Sequence, residues 1–401
     1  MKRKVFLLAV TSLIFACCIA QDNPTLNGQI WRGNIARTGE FKSTGPLKQI
    51  RLKWKFLTGG AIKSSPVIFN ETVYVGSDDG NIYAINLLDG KEKWKFSTGA
   101  PVQSSAAIFA GKVFFINSRG VHAIDIRTGD KIWIKSGGFW DDSPLVIPGP
   151  IKDKSGKNLE GVLFFSEPWK NLVGLNTADG SEVWRCRDGH GPGSRGNSAL
   201  LHRGMLIFFR GSQATVVVDV LTERKKYEID GAIDNGVFTP AARNGICYSY
   251  IKGIVAFDII ENSQITAKNS SDYKIKWRFD PGKENGWDYQ HPGISSISVD
   301  EKNVYFGHSD TYVYALNKEN GEVVWKTSTG GVNRSSPAIG SGDLLFIGSY
   351  NGNVYGISKN DGTIVWQFKT GGAVHSSPAI EKSILVVGSD DGCLYAIEEE
   401  Q

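Results

Sequence analysis

The stretch Ala123-Ile124-Asp125-Ile126-Arg127-Thr128-Gly129-Asp130-Lys131-Ile132-Trp133 decides how this chain is read. It has the form of a strand end, a tight turn and a strand start. The same spacing returns from Ala84 to Trp94, Gly174 to Trp184, Ala315 to Trp325 and Gly356 to Trp366, with Asp, Asn or Ser third and Gly seventh. A worn copy, Val217 to Tyr227, carries Glu223 in place of the glycine. Another opens at Ala256-Phe257-Asp258 and reaches Trp277 only after an insertion, and a last one opens at Ala396. Self-similarity at a fixed period means that one small unit is stacked until a continuous core is buried.

Working outward from the motif, each unit follows one order, clearest in the first copy. An inner strand (Ser64 to Phe69) precedes a second (Thr72 to Gly76), a turn at Asp78-Asp79-Gly80-Asn81, a third strand (Ile82 to Ile85), the Leu88-Asp89-Gly90 turn and the Trp strand. Asp-Gly or Asn-Gly between β-rich runs is the strongest short-range hairpin signal, so the unit is a four-stranded meander. Inner strands are expected at Ser64 to Phe69, Ser104 to Phe109, Ser143 to Pro148, Asn197 to His202, Phe238 to Arg243, Ser295 to Val299, Ser335 to Gly340 and Ser376 to Glu381. Seven aromatic strands follow within their own units, at Trp94, Trp133, Trp184, Tyr227, Trp277, Trp325 and Trp366. The remaining unit takes Trp54, from the half-repeat Leu52 to Gly60. This offset predicts an all-β, eight-bladed β-propeller of four-stranded antiparallel blades, its last blade closed by the N-terminal strand around Trp54, so that no sheet edge stays open. A solenoid is the rival; it calls for polar caps instead of complementary half-repeats.

With 47 glycines and 11% aromatic residues, the composition suits short strands joined by tight turns. Residues 1–20 read as a signal peptide, Lys2-Arg3-Lys4 followed by the apolar run Val5 to Ala20. Cleavage after Ala20 gives a soluble periplasmic or secreted protein. Processing at Cys17 gives an outer-membrane lipoprotein, the only route to membrane association. Residues 21–50 read as an irregular N-terminal segment, and 51–401 as a single propeller. Removing Lys2, Arg3 and Lys4 from the 45 basic residues leaves 42 against 41 acidic, which argues against nucleic acid as a partner. Cys186, Cys247 and Cys393 fall in different repeats and outline no disulfide framework.

The A-x-D-x-x-x-G-x-x-x-W repeat, with W-x-F-x-T-G-G and S-S-P, resembles the quinoprotein-type (PQQ-like) β-propeller repeat family. That family includes quinone-dependent dehydrogenases and non-enzymatic relatives, among them the propeller lipoproteins of outer-membrane assembly, which are closest to this chain in size. The resemblance spans about residue 50 to the end and marks a fold; sites are grafted on folds.

The recurring aromatic residues, Trp54, Trp94, Trp133, Trp184, Tyr227, Trp277, Trp325 and Trp366, read as docking groups between blades. The turns at Asp78, Asn351 and Asp390 lack the alternating oxygen ligands of a calcium loop. Gly191 to Gly196 matches G-x-G-x-x-G but precedes a strand where a dinucleotide site needs a helix. The histidines show no zinc spacing, and no metal site is expected. In such a meander every link from a Trp strand to the next inner strand emerges on one face, beside the channel, where loops carry function. Three links are rich in polar and aromatic groups and supply Trp140 and Asp142, Arg195, and Trp287, Asp288 and His291. Aligning on Ser-Ser-Pro places Lys63, Gln103, Asp141, Arg334 and His375 at the channel mouth. Blades seven, eight and one thereby form a cationic sector suited to a carboxylate or phosphate.

These features predict a non-catalytic extracytoplasmic binding or scaffolding propeller, with a protein partner or small anionic ligand and no cofactor. The resemblance supplies the alternative, a PQQ-dependent dehydrogenase. It implies a quinone over the mouth, its carboxylates near Lys63 and Arg334, Asp141 or Asp288 as general base, and calcium as Lewis acid. The vicinal cysteines common in such dehydrogenases are missing from the mature chain. A hydrolase or lyase built on Asp141, Asp142 and Asp288 is a third class, because paired acids need only spatial proximity.

Overall fold

A computed structural model describes residues 30–400, apart from 138–141, 154, 168–171, 187–197, 211–213, 231–238, 252, 260–274 and 282–292. The expected signal peptide, with Cys17, lies outside the described residues. The chain forms eight four-stranded antiparallel sheets, seven of them in sequence order. The eighth takes Ile50–Leu57 as its outermost strand, paired to Cys393–Glu399 with Trp54 opposite Ala396. The ring is therefore an eight-bladed propeller closed by its N-terminal strand.

The structure gives each position of the eleven-residue motif a task. Its first residue lies opposite the Trp ten positions on, as in Ala84 with Trp94, Ala123 with Trp133 and Gly356 with Trp366, and the register slips just beyond. A bulge there turns the indole toward the neighbouring blade. Where this residue is Gly356, a Cβ would lie 2.4 Å from Trp366 Cε2. The third residue closes the turn, Asp125 Oδ1 accepting the Arg127 N–H at 2.8 Å, an Asx-turn. The seventh, Gly129, sits at φ +77°, where a Cβ would come within 2.8 Å of Trp94 Cδ2 on the preceding blade. Gly90 meets Trp54, Gly180 meets Trp133, Gly321 meets Trp277 and Gly362 meets Trp325 in the same way. Each Trp then donates its indole N–H to a carbonyl of the next blade: Trp54 to Leu87, Trp94 to Ile126, Trp133 to Thr177, Trp184 to Val220, Trp277 to Lys318 and Trp325 to Lys359. Trp366 bonds instead to Pro46 O at 3.0 Å, because the N-terminal segment stands where the closing blade has no turn of its own. Tyr227 pairs with Val217 through the backbone.

Inner strands begin later than the sequence suggested, Val67–Phe69 in place of Ser64 to Phe69 and Ala338–Ile339 in place of Ser335 to Gly340, and that of blade three, Leu145–Lys152, also runs on past the expected Pro148. The Ser-Ser-Pro residues are spent otherwise. The first serine caps the second strand of its own blade, Gly76 N donating to Ser64 Oγ at 2.8 Å. The second joins a chain of bonds around the channel, each backbone N–H donating to the hydroxyl of the next blade: Ser65 to Ser105, Ser105 to Ser143, Ser143 to Ser198, Ser336 to Ser377 and Ser377 back to Ser65.

Candidate functional site at the channel mouth

The links entering each blade and the turns between second and third strands share one face, tied by backbone bonds. Asp78 N donates to Ala61 O of its own blade's link at 2.9 Å, and Ile62 N to Ser389 O of the preceding blade at 3.0 Å. The residue before each Ser-Ser pair is thereby set beside the first residue of an Asp-Asp-Gly-type turn. Lys63 Nζ lies 2.7 Å from Asp78 Oδ2, and Gln103 Nε2, from blade two, donates to Asp78 Oδ1 at 2.7 Å. His375 Nε2 lies 3.1 Å from Asp390 Oδ2, and its ring packs on Tyr350 with centroids 4.0 Å apart. Arg334 acts on both Tyr350 and His375.

Lys63, Arg334 and His375 thus come together, but two carboxylates interleave with them. The hydrogen bond to Asp78 raises the Lys63 pKa. Burial lowers that of His375, Asp390 opposes the shift, and Lys63 and Arg334 reinforce it. Burial raises the Tyr350 phenol, with Arg334 opposing. The sector is a charge-balanced network of Lys63, Arg334, Asp78 and Asp390 around an aromatic pair, where the sequence reading had a cationic one. Asp78, Asp390 and Tyr350 escaped that reading because the Ser-Asp-Asp-Gly and Ser-Tyr-Asn-Gly stretches were credited wholly to turn formation. Only the second acid is so used: Asp79 Oδ2 accepts from Gly59 N at 2.8 Å and Tyr83 Oη at 2.6 Å.

Asp142, expected on the loop face, is buried at 1% exposure, and Ser166 N donates to its Oδ2 at 3.2 Å. By register, Ser166 corresponds to Gly76 and Asp142 to Ser64. Its carboxylate caps the blade-three strand and faces Arg37, whose pKa it helps to hold up. Trp140, Asp141, Arg195, Trp287, Asp288, His291 and the Gly191 to Gly196 loop lie outside the described residues.

Beneath the mouth, the segment read as merely irregular runs inside the ring. Ile30 bridges Ala107 of blade two, and the carbonyls of Ile35, Ala36, Thr38 and Gly39 accept from Leu201, Ala242, Val299 and Ile339 of blades four to seven. Two arginines anchor it, both almost wholly buried. Arg37 donates to the carbonyls of Trp31, Ser143, Pro144 and Ala199, and burial lowers its pKa to about 9. Arg32 donates to Thr239 O at 3.3 Å and Ser298 Oγ at 3.0 Å. The sequence signal was Trp31-Arg32-Gly33 to Arg37-Thr38-Gly39, two Arg-led turns ahead of the first repeat; Arg32 and Arg37 both adopt positive φ. Cys186, Cys247 and Cys393 are free and buried.

Fold and repeats together define an eight-bladed propeller of the PQQ-like repeat type. The family model described as "Outer membrane protein assembly factor BamB" matches residues 30–143, 157–327 and 309–401, and the chain belongs to that family. Outer membrane protein assembly factor BamB of Escherichia coli (strain K12) is 32% identical over 77 residues, 19% of this chain and 20% of that protein. The similarity thus reaches only about a fifth of that curated relative's length. Among solved structures, BamB from Moraxella catarrhalis superimposes with a TM-score of 0.64 at 16% identity, covering 87% of this chain and 97% of that one. Quinohemoprotein alcohol dehydrogenase from Comamonas testosteroni gives 0.71 at 12% identity, covering 96% and 82%. Both superpositions speak to the fold alone.

Proposed function

We propose that this chain is a non-catalytic binding and scaffolding propeller acting outside the cytoplasm, which engages a protein partner through the face bearing the links and the Asp-Gly turns. The carrying observation is the mutual pairing at the mouth. Lys63 and Gln103 share Asp78, and His375 holds Asp390. A rigid, charge-balanced surface with an aromatic pair suits recognition of a polar protein surface, where complementary charges set orientation and partner choice. The name of the matched family, which refers to outer-membrane assembly, and the targeting pattern of residues 2–20 support the location. Lipidation at Cys17 would attach the propeller to a membrane; cleavage after Ala20 would leave it free.

The described part of the mouth favours the non-catalytic reading over a quinone with calcium. Carboxylates of such a cofactor would meet Asp78 and Asp390, and Lys63 is already engaged by the former. Among the described residues no group of three or more His, Cys, Asp or Glu side chains is placed to hold a metal.

Affinity capture from a periplasmic extract tests the proposal, comparing the wild type with a Lys63→Ala, Arg334→Ala double variant. Loss of a captured protein from the double variant is expected; undiminished recovery shifts recognition to the blade edges. In parallel, the quinone and calcium are added to purified protein. A tight red-shifted cofactor band with dye reduction would overturn the non-catalytic reading.

A further inference from the structure

On the face away from the mouth, the turns joining the first and second strands of blades five, six and seven stand around an open basin of about 420 Å³, within the range of small-molecule sites. Its floor is the N-terminal segment that plugs the ring. The carbonyls of Ala36, Thr38 and Gly39 accept from the N–H groups of Ala242, Val299 and Ile339, at the ends of the three inner strands. The turns that follow those strands supply Arg243, Glu301 and Ser341 as walls. Plug and blades are locked together by backbone bonds, so the basin is preformed.

Two kinds of surface meet in it. Ile35 and Phe41 line the basin and are only half-buried, whereas residues 36–39 between them are buried. The polar side is a bridge through Arg243 between two acids, Nη1 donating to Glu40 Oε2 and Nη2 to Glu301 Oε1. One oxygen of each acid is thereby taken. The other Glu40 oxygen has no hydrogen-bond partner among the described residues, and that of Glu301 lies 3.9 Å from Lys318 Nζ. Both acids are within reach of a ligand, their side chains being 33% and 69% exposed. Burial raises the pKa of Glu40, Arg243 opposes the shift, and Asp300 and Glu301 add to it, so this carboxylate gains from a further donor. With Lys42 also lining the basin, two acids face two bases. An ionic ligand would have to take one member of the bridge and leave another charge unpaired. A hydroxyl, both donor and acceptor, serves the spare carboxylate oxygens and leaves the bridge intact.

We infer that the basin binds a neutral saccharide, the C–H face of one ring lying against Phe41 and Ile35 and its hydroxyls donating to Glu40 and Glu301. The site is independent of the protein-binding role of the mouth, because it lies at the other end of the channel, beyond the plug.

The test uses the full mature protein and a panel of neutral sugars, the methyl glycosides of glucose, galactose and mannose together with N-acetylglucosamine, followed by saturation-transfer NMR, which reads the ligand protons that touch the protein. Glucuronate and glucosamine serve as charged counterparts at matched ionic strength. At least one neutral sugar should give saturable transfer to its ring C–H protons, exceeding that of both charged sugars. Ser341→Tyr brings a ring into the basin from an exposed position and should abolish the transfer. Glu40→Gln should raise half-saturation about tenfold, as for loss of a hydrogen bond to a charged group. The Lys63→Ala, Arg334→Ala double variant should bind sugar as the wild type does. The site is overturned by no saturable transfer from any neutral sugar, by stronger transfer from a charged one, by undiminished binding in Ser341→Tyr or Glu40→Gln, or by loss in the mouth variant. Should Glu40→Gln fail to fold, Ser341→Tyr decides.

Discussion

Gly129→Ala is the most direct perturbation of the contact that fastens one blade to the next. Two costs add at this position. An L-residue at φ +77° is strained by about 1–2 kcal/mol relative to glycine. The new methyl would also stand 2.8 Å from Trp94 Cδ2 and 2.9 Å from Cε3, well inside the separation at which carbon atoms attract, and overpacking of that kind costs about 1–3 kcal/mol more. Gly99 supplies the control: its φ is +72° and a Cβ there meets nothing within 4 Å, so Gly99→Ala should show the backbone strain alone. Urea unfolding followed by tryptophan fluorescence, with thermal unfolding in parallel, should place Gly129→Ala below Gly99→Ala by about 1–3 kcal/mol. A Trp94→Phe background, with its smaller ring, should recover part of that difference. Equal losses at the two glycines, or no recovery with Trp94→Phe, would refute the Gly–Trp contact as the fastener.

Two further outcomes follow from the same geometry. Ser105→Ala removes the acceptor of the Ser65 N–H and leaves that donor buried, so stability to urea should fall by about 1–3 kcal/mol, whereas Ser155→Ala on an exposed turn should cost a few tenths at most. His122 lies stacked on Phe115 with ring centroids 4.7 Å apart, and burial lowers its pKa to about 4. The unfolded chain therefore takes up this proton first as pH falls. The neutral ring's contribution is complete above the ordinary histidine range and declines from about pH 6.5 toward pH 4, by about 3 kcal/mol in all. Unfolding free energies measured across that range should be flatter in His122→Gln; an unchanged slope would contradict the assignment.

Blade number and closure were legible without coordinates because the pattern is local and repeated. The motif's first, seventh and eleventh residues each contact something at a constant offset in the chain or in the ring, so eight imperfect copies report the same constraint. Trp54 could be assigned to the last blade because it was the aromatic strand without a first half. The shared face of the links followed from the alternation of strand direction. Inner-strand starts were placed too early because Ser-Ser-Pro looks like strand, while its hydroxyls, by capping and linking blades, replace ladder bonds that proline cannot make.

Whatever depends on which side chains meet across blades was decided by the tertiary structure. Lys63 and Asp78 are 15 residues apart, but Gln103 reaches the same carboxylate from the next blade, Arg334 of blade seven acts on His375 of blade eight, and Lys63 acts on His375 and Asp390 only because the ring is closed. Asp142 passed for a loop acid until register made it the counterpart of Ser64. The plug is the clearest case. Residues 30–46 carry no repeat and no strand periodicity, and their conformation is set by carbonyls and N–H groups offered by blades four to seven at once. A repeat specifies itself through short-range patterning that any single copy contains; a segment ordered by the inside of a ring takes its structure from a surface that exists only after the ring has formed.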